Sequence, residues 1–138
     1  MEIQGYPNYL IYEDGIVEKI KGHKKGFMKS HKDICGYLRI GLCNQYGRKF
    51  HLIHRLIAIH YIPNPLNLPE VDHIDRNPLN NNISNLRWVT HIDNMQNQGI
   101  SKNNKCGIKN ISYRKKYNLW AYKKMIRGNS FRFYNAKL

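Results

Sequence analysis

Side chains that could bind a metal ion or move a proton are concentrated between residues 70 and 94. They are Asp72, His73, Asp75, Asn85, His91, Asp93 and Asn94. Carboxylate and amide oxygens are hard ligands, which suit Mg²⁺ or Mn²⁺ better than zinc. At the end of a strand, the adjacent Asp72 and His73 could approach one phosphate, one as a metal ligand and the other as the base that takes a proton from water. A neutral amide that accepts a hydrogen bond from the second ring nitrogen would fix the tautomer of that base.

Local patterns predict the elements that carry these residues. Residues 54–62 combine helix formers with apolar side chains and stop at Pro63, which predicts one short buried helix. Three prolines between residues 63 and 69 then predict an extended connector. From there the expected order is a strand (70–73), an Asn-rich loop (77–82), a strand (86–89) and a helix that starts with a capping pattern at Thr90 (91–98).

Antiparallel strands are predicted on both sides of this segment. Before residue 53, alternating apolar residues and turns closed by glycine are typical of hairpins. After Gly107, three short strands are expected, over residues 108–114, 119–127 and 130–134. The predicted fold class is therefore α+β. The predicted divisions are an N-terminal hairpin module with a short helix (1–62), a central core (63–99), a linker (100–106) and a C-terminal three-stranded sheet (107–138).

Charge is distributed unevenly along the 138 residues. The net formal charge is +14, and it divides into +5 over residues 1–60, −2 over residues 61–98 and +11 over residues 99–138. Basic arms of this kind indicate a polyanion as partner, and nucleic acid is the favoured one because Lys and Arg neutralise its phosphates. An acidic centre between such arms is suited to hold a cation.

Several classes of protein are disfavoured by the same sequence. No run approaches the ~18 apolar residues of a membrane span, and the N-terminus lacks the layout of a secretory signal. The three cysteines form no CxxC pair, which argues against a structural zinc site and a disulfide framework. We therefore expect a soluble protein inside a host cell, in the cytoplasm or nucleoid, with no membrane partner.

The central residues carry a family resemblance. Residues 71–75 (VDHID), 80–90 (NNNISNLRWVT) and 93–97 (DNMQN) resemble the core of HNH endonucleases, most closely the phage and intron-encoded homing branch in which the last letter of the motif is Asn. The upstream region around residues 36–38 and 54–58 resembles a small module that often precedes this branch. More weakly, residues 107–134 are similar to the sheet of AP2-like DNA-binding modules. In those modules a helix follows the sheet, whereas this sequence stops at Leu138, so we expect an incomplete module.

The resemblance implies a ββα-metal core and a role for each matching residue. Asp72 and Asn94 would bind one Mg²⁺ or Mn²⁺ per active site, with His91 as the alternative ligand to Asn94. His73 would be the general base, and Asn85 would orient it through a hydrogen bond. Basic side chains of the arms and of the central segment are predicted to contact DNA, namely Arg55, Arg87, Arg114, Lys123 and Arg132.

Structural interpretations stay open beside these roles. Asp72 could cap a turn, His73 could be a core histidine, and Asn85 and Asn94 could be loop and surface amides. Asp75 and Asp93 are more typical of bracing and capping residues than of ligands. The remaining candidates are more often packing residues than functional ones, namely His54, His60, Trp88 and Trp120.

The function that the sequence favours is metal-dependent hydrolysis of DNA. The expected enzyme is a site-specific homing-type HNH endonuclease that acts on double-stranded DNA, as a monomer or homodimer, and leaves 5′-phosphate and 3′-hydroxyl ends. The alternative is a catalytically inactive DNA-binding regulator on the same scaffold.

Overall fold

The computed structural model describes residues 1–100, 104, 106–126 and 129–136, with the backbone alone at 125, 126 and 136. The chain packs into two compact units, residues 1–91 and residues 92–138. Part of the predicted linker, residues 101–103 and 105, lies outside the described residues, as does residue 127, the predicted end of a strand.

The first unit contains three antiparallel sheets and one helix. Its elements are β1 (Glu2–Ile3), β2 (Tyr6–Ile11), β3 (Val17–Lys19), β4 (Gly26–Met28), β5 (His31–Lys32), β6 (Leu38–Asn44), β7 (Gly47–Leu52), α1 (Ile53–Tyr61), β8 (Glu70–His73) and β9 (Leu86–Val89). The sheets have the strand orders β1-β2-β3-β4, β5-β6-β7 and β8-β9. A single 3₁₀ turn over Ile83–Asn85 leads into β9.

The hairpin of β6 and β7 shows how alternation sets the two faces of a strand. Ile40 and Leu42 are buried on one face, whereas Arg39 and Cys43 are exposed on the other. Gly47 closes the turn with a φ of +112°, a conformation that glycine adopts without steric cost. The hairpin therefore places one face on the core and leaves the other in solvent.

Helix α1 and the strands around it share one hydrophobic core. Leu56 and Ile57 of α1 pack with residues of β2, β3 and β6, and with Val71 and Leu86 of β8 and β9. The Trp88 indole N–H donates to the carbonyl of Ile62 at 3.1 Å, just after the helix ends. Burial of each such aliphatic side chain contributes roughly 1.5–3 kcal/mol. The strands β8 and β9 are thus anchored to the N-terminal part of the unit.

The second unit contains a three-stranded antiparallel sheet and helix α2 (His91–Asn97), except for the first residue of that helix, which belongs to the first unit. The strands are β10 (Ile111–Arg114), β11 (Leu119–Ile126) and β12 (Asn129–Ala136). Asn118 occupies the left-handed region at the turn before β11, with a φ of +50°, as Asn does more readily than most residues.

The α+β class predicted from the sequence is confirmed, with antiparallel sheets and two α-helices in the described part of the chain. The short strands β1, β4 and β5 were not predicted, because two or three residues are too few to show an alternating pattern. No helix among the described residues is long and apolar enough to cross a membrane. The AP2-like identity of the C-terminal sheet, the upstream module and the module boundaries stay predictions.

Candidate active site

The pairing of β8 with β9 positions the two residues at the front of the motif. Asp72 lies opposite Arg87 and His73 lies opposite Leu86 in the antiparallel register. Both Asp72 and His73 are buried, at 6% and 4% exposure. A buried carboxylate and a buried imidazole are costly unless polar neighbours compensate them, so their partners define the site.

The partner of the His73 ring is an asparagine of the Asn-rich loop. Nε2 of His73 lies 3.0 Å from Oδ1 of Asn81, which is itself buried. An amide oxygen can only accept, so this contact is a hydrogen bond in the tautomer whose proton is on Nε2. In that tautomer the lone pair that can take a proton belongs to Nδ1.

Two further rings pack against this imidazole. The ring of His54 stands edge-on to it at 4.9 Å between centroids, and the ring of Tyr37 lies at 5.9 Å. Burial, with a smaller contribution from His73, lowers the pKa of His54 to about 4. Nδ1 of His54 is buried and has no hydrogen-bond partner among the described residues. His54 is therefore a neutral packing residue near pH 7, in line with the structural interpretation.

Asn85 holds the loop rather than the imidazole. Its amide nitrogen donates to Oδ1 of Asp75 at 2.9 Å and to the carbonyl of Asn80 at 2.8 Å, and its Oδ1 accepts from the Asp75 N–H at 3.0 Å. The contact with His73 that the sequence assigned to Asn85 is made by Asn81 in the structure. Sequence reasoning missed Asn81 because three consecutive asparagines look alike until the loop is folded.

Asp75 completes this brace, as the structural interpretation expected. Its carboxylate accepts from the Asn77 N–H at 2.8 Å and from the side chains of Asn80 and Asn85. These hydrogen bonds hold the pKa of Asp75 below its ordinary value of 3.8, and the bond from the Asn77 backbone contributes most. An ionised Asp75 thus ties both ends of the loop together.

Asp72 forms a salt bridge with Arg87. Nε and Nη2 of Arg87 donate to Oδ2 of Asp72 at 3.0 and 2.8 Å. The Arg87 side chain is about half exposed while that of Asp72 is buried. Arg87, predicted to contact DNA, therefore neutralises the predicted metal ligand across the two strands.

The residues suggested as the second metal ligand lie on α2. Nδ1 of His91 lies 2.7 Å from Oε1 of Glu70, and Asn94 belongs to the second unit. The described residues contain no group of three or more His, Cys, Asp or Glu side chains that could hold a metal. A carboxylate and an amide oxygen nevertheless have the chemistry that a hard cation prefers, so Asp72 and Asn94 fit Mg²⁺ or Mn²⁺ by donor type.

The other predicted DNA contacts divide by location. Nη2 of Arg55 donates to the carbonyl of Pro69 at 3.0 Å, so this side chain braces the connector. In the C-terminal sheet, Lys123 pairs with Arg132, and Arg114 pairs with Leu119. This register places the three exposed side chains of Arg114, Lys123 and Arg132 on one face of the sheet.

One basic cluster of the first unit was not singled out from the sequence. The guanidinium carbons of Arg39 and Arg48 lie 4.8 and 5.0 Å from the centroid of the exposed Phe50 ring. Gly41 faces Phe50 in the register, and a Cβ there would lie within 3.0 Å of three guanidinium atoms of Arg48. We call Arg39, Phe50 and Arg48 the Arg-Phe-Arg cluster.

Comparisons with known proteins agree with the resemblance in the central segment. Residues 51–96 match the HNH endonuclease family. The chain is 37% identical over 119 residues to an uncharacterized HNH endonuclease of Acanthamoeba polyphaga mimivirus, covering 86% of this chain and 36% of that protein. It is 41% identical over 98 residues to the DNA endonuclease I-HmuI of Bacillus phage SP01, covering 70% of this chain and 55% of that one.

A solved structure matches as well. It is that of the HNH homing endonuclease I-HmuI, described for DNA binding and cleavage, with a TM-score of 0.63 and 39% identity over 71% of this chain and 56% of that chain. The chain thus spans 36% to 56% of the length of these relatives. Homology to HNH endonucleases, predicted from the motif, is confirmed for the segment that contains His73.

Proposed function

We propose that this protein, whose residues 51–96 match the HNH endonuclease family, is a metal-dependent homing-type endonuclease that hydrolyses DNA phosphodiester bonds. The observation that carries the proposal is the placement of His73 within the matched segment. It is buried beside Asp72 and bonded through Nε2 to a neutral amide. A neutral imidazole with an unprotonated nitrogen is the state that a general base needs near neutral pH.

His73 would start the reaction by accepting a proton from water. The resulting hydroxide forms a bond to phosphorus in line with the 3′-oxygen, and the bond from phosphorus to that oxygen breaks. The departing oxygen takes up a proton, so the products are a 5′-phosphate and a 3′-hydroxyl. In this scheme Asn85 and Asp75 hold the loop beside the base and do not touch the substrate.

Asp72 and Asn94 are the residues we assign to one Mg²⁺ or Mn²⁺, with His91 as the alternative to Asn94. When bound, the ion would stabilise the charge that develops on the phosphorane and on the leaving oxygen. The order β8, loop, β9 and α2 is that of a ββα-metal unit, and we extend the proposal to that arrangement.

Double-stranded DNA is the proposed substrate because the chain is strongly basic and exposed basic side chains are grouped on two surfaces. The Arg-Phe-Arg cluster and the basic face of the C-terminal sheet (Arg114, Lys123 and Arg132) are the two surfaces we assign to phosphate contacts. Strands can present such side chains to a groove. We place the reaction inside a host cell and expect a monomer or a homodimer.

The test is a nicking assay on supercoiled plasmid. Cleavage should require Mg²⁺ or Mn²⁺ and should stop with excess EDTA. Asp72→Ala should abolish cleavage at every concentration of Mg²⁺ or Mn²⁺. His73→Ala should lower the rate by roughly 10²–10⁴-fold while DNA affinity stays nearly unchanged. Ile34→Ala, at a fully exposed position, serves as the control.

Two outcomes would contradict the proposal. Cleavage that persists in excess chelator would rule out the metal-dependent mechanism. Tight DNA binding without cleavage under any divalent ion would favour the inactive DNA-binding regulator.

A further inference from the structure

We propose that Asn81 is the residue that positions His73, by fixing the tautomer in which Nε2 is protonated and Nδ1 is the basic nitrogen. This inference rests on the proposed function, since it presumes that His73 takes a proton from water. It differs from the role that the motif suggested for Asn85. The residue acts on the base and does not itself touch the substrate.

The length and the burial of this hydrogen bond favour one tautomer of His73. Nε2 of His73 and Oδ1 of Asn81 are 3.0 Å apart, and both residues are more than 90% buried. Water has little access to satisfy either atom if the bond is lost, so the imidazole gains most by placing its proton on Nε2. The alternative tautomer would set an unprotonated nitrogen against the amide oxygen, lone pair against lone pair.

Asn85 is already committed to other partners. Its two amide hydrogens go to Asp75 and to the carbonyl of Asn80, and its oxygen accepts from the backbone of Asp75. By holding the carbonyl of Asn80, it fixes the backbone immediately before Asn81. The two asparagines therefore divide the work: Asn85 shapes the loop, and the loop delivers Asn81 to the ring.

Neighbouring rings oppose a reorientation of the imidazole. Rotation of the His73 ring by half a turn would exchange its nitrogen and carbon edges and break the bond to Asn81. His54 and Tyr37 pack against that ring at 4.9 and 5.9 Å between centroids. The hydrogen bond selects the tautomer, and the packing keeps the ring where the bond can form.

The direct test is the tautomer of His73 in the free protein, read from the two ring ¹⁵N chemical shifts in a histidine-labelled sample above pH 7. The wild type should show protonation at Nε2. Asn81→Leu, which keeps the volume and removes the acceptor, should lose this preference. Asn81→Asp, which keeps an acceptor oxygen, should retain it. Asn82→Leu makes the same change at the next residue, whose exposed side chain bonds to Ser84 instead, and should leave the tautomer unchanged.

Kinetics provide the second readout. Asn81→Leu should lower the single-turnover cleavage rate by about tenfold or more, a part of the 10²–10⁴ that a general base contributes. DNA affinity should change by less than about twofold. Asn81→Asp should recover part of the rate, whereas a merely structural defect would lower melting temperature, affinity and rate together.

Each outcome decides a separate point. A wild-type His73 protonated at Nδ1, or an Asn81→Leu protein that keeps the Nε2 proton and the full rate, would overturn the inference. If Asn81→Leu fails to fold, the wild-type and Asn81→Asp spectra still decide. If the tautomer depends on Asn81 but the wild type cuts no DNA, the positioning role stands and the proposed nuclease function fails.

Discussion

At the level of single residues, the hydrogen-bond partner distinguishes two histidines that are equally buried. His54 and His73 lie in contact, but only His73 has a hydrogen-bond acceptor for a ring nitrogen among their described partners. His54 is held neutral by desolvation, and its pKa falls to about 4. His54 therefore serves as a packing residue, and its protonation affects the stability of the fold.

We therefore expect His54 to make the protein sensitive to acid. The unfolded chain binds a proton at a pKa near 6.5 and the folded chain only near 4, so stability is lost as the pH falls from 6.5 to 4. The loss over that window should be about 3 kcal/mol, since each pKa unit corresponds to 1.36 kcal/mol. Urea unfolding of the wild type and of His54→Gln measures it.

The Gln variant should show a flatter dependence on pH in the same window. His23→Gln, at an exposed histidine, should titrate like the wild type. An equal pH dependence in the wild type and in His54→Gln would show that other groups cause the acid sensitivity.

At the level of elements, the β6–β7 hairpin separates stability from binding. Its inner face contributes Ile40 and Leu42 to the core, and its outer face carries the Arg-Phe-Arg cluster. Stacking of the two guanidinium groups on one ring holds them in place before any ligand arrives. Gly41 permits this arrangement because it leaves space for Arg48.

We expect Arg48→Gln to weaken DNA binding and to reduce the slope of log affinity against log salt by about 0.9, the value for one phosphate contact. Gly41→Ala should have a similar effect, because the new methyl group displaces the flexible end of Arg48 and leaves the backbone in place. Fluorescence anisotropy on a labelled duplex at several salt concentrations measures both.

Thermal unfolding is the control for the same two variants. Arg48→Gln should unfold with a free energy within about 1 kcal/mol of the wild type, as is usual at surface positions. Gly41 is buried, but its variant should do the same because the added methyl group meets only the flexible end of Arg48. Wild-type affinity in both variants would remove the cluster from the DNA-binding surface.

At the level of the whole molecule, the two units differ in charge. Residues 1–91 carry a net charge of +4 and residues 92–138 carry +10. The first unit has 12 basic and 8 acidic side chains, whereas the second has 11 basic and one acidic, so the acidic residues make the difference. The unit with the candidate base thus has little surplus charge, while the other has the charge to hold a polyanion.

Replacing Arg114, Lys123 and Arg132 by Gln should reduce the salt slope of DNA binding by roughly 3, if each contact is worth about 0.9. The register places all three on one face of the C-terminal sheet. A control with the same change in net charge replaces Lys115, Lys116 and Lys124 by Gln. Equal effects of the two triple variants would mean that total charge, and not this face, determines binding.

Much of the local structure was determined by the sequence itself. The strands that carry Asp72 and Trp88, the helix that stops before Pro63 and the helix after Thr90 all follow from neighbours along the chain, because capping, proline restriction and alternation act over a few residues. The spacing of Asp72, His73 and Asn85 likewise identified the HNH segment. These features need no knowledge of distant contacts.

Partner choice was decided only by the tertiary structure. Which asparagine reaches His73, which carboxylate pairs with Arg87, and which arginines stack on Phe50 depend on the path of a loop and on the register between strands. Asn81 and Asn85 have identical chemistry, so no pattern of residue types can distinguish them. Their roles separate when folding turns the loop and buries one amide against the imidazole and the other against Asp75.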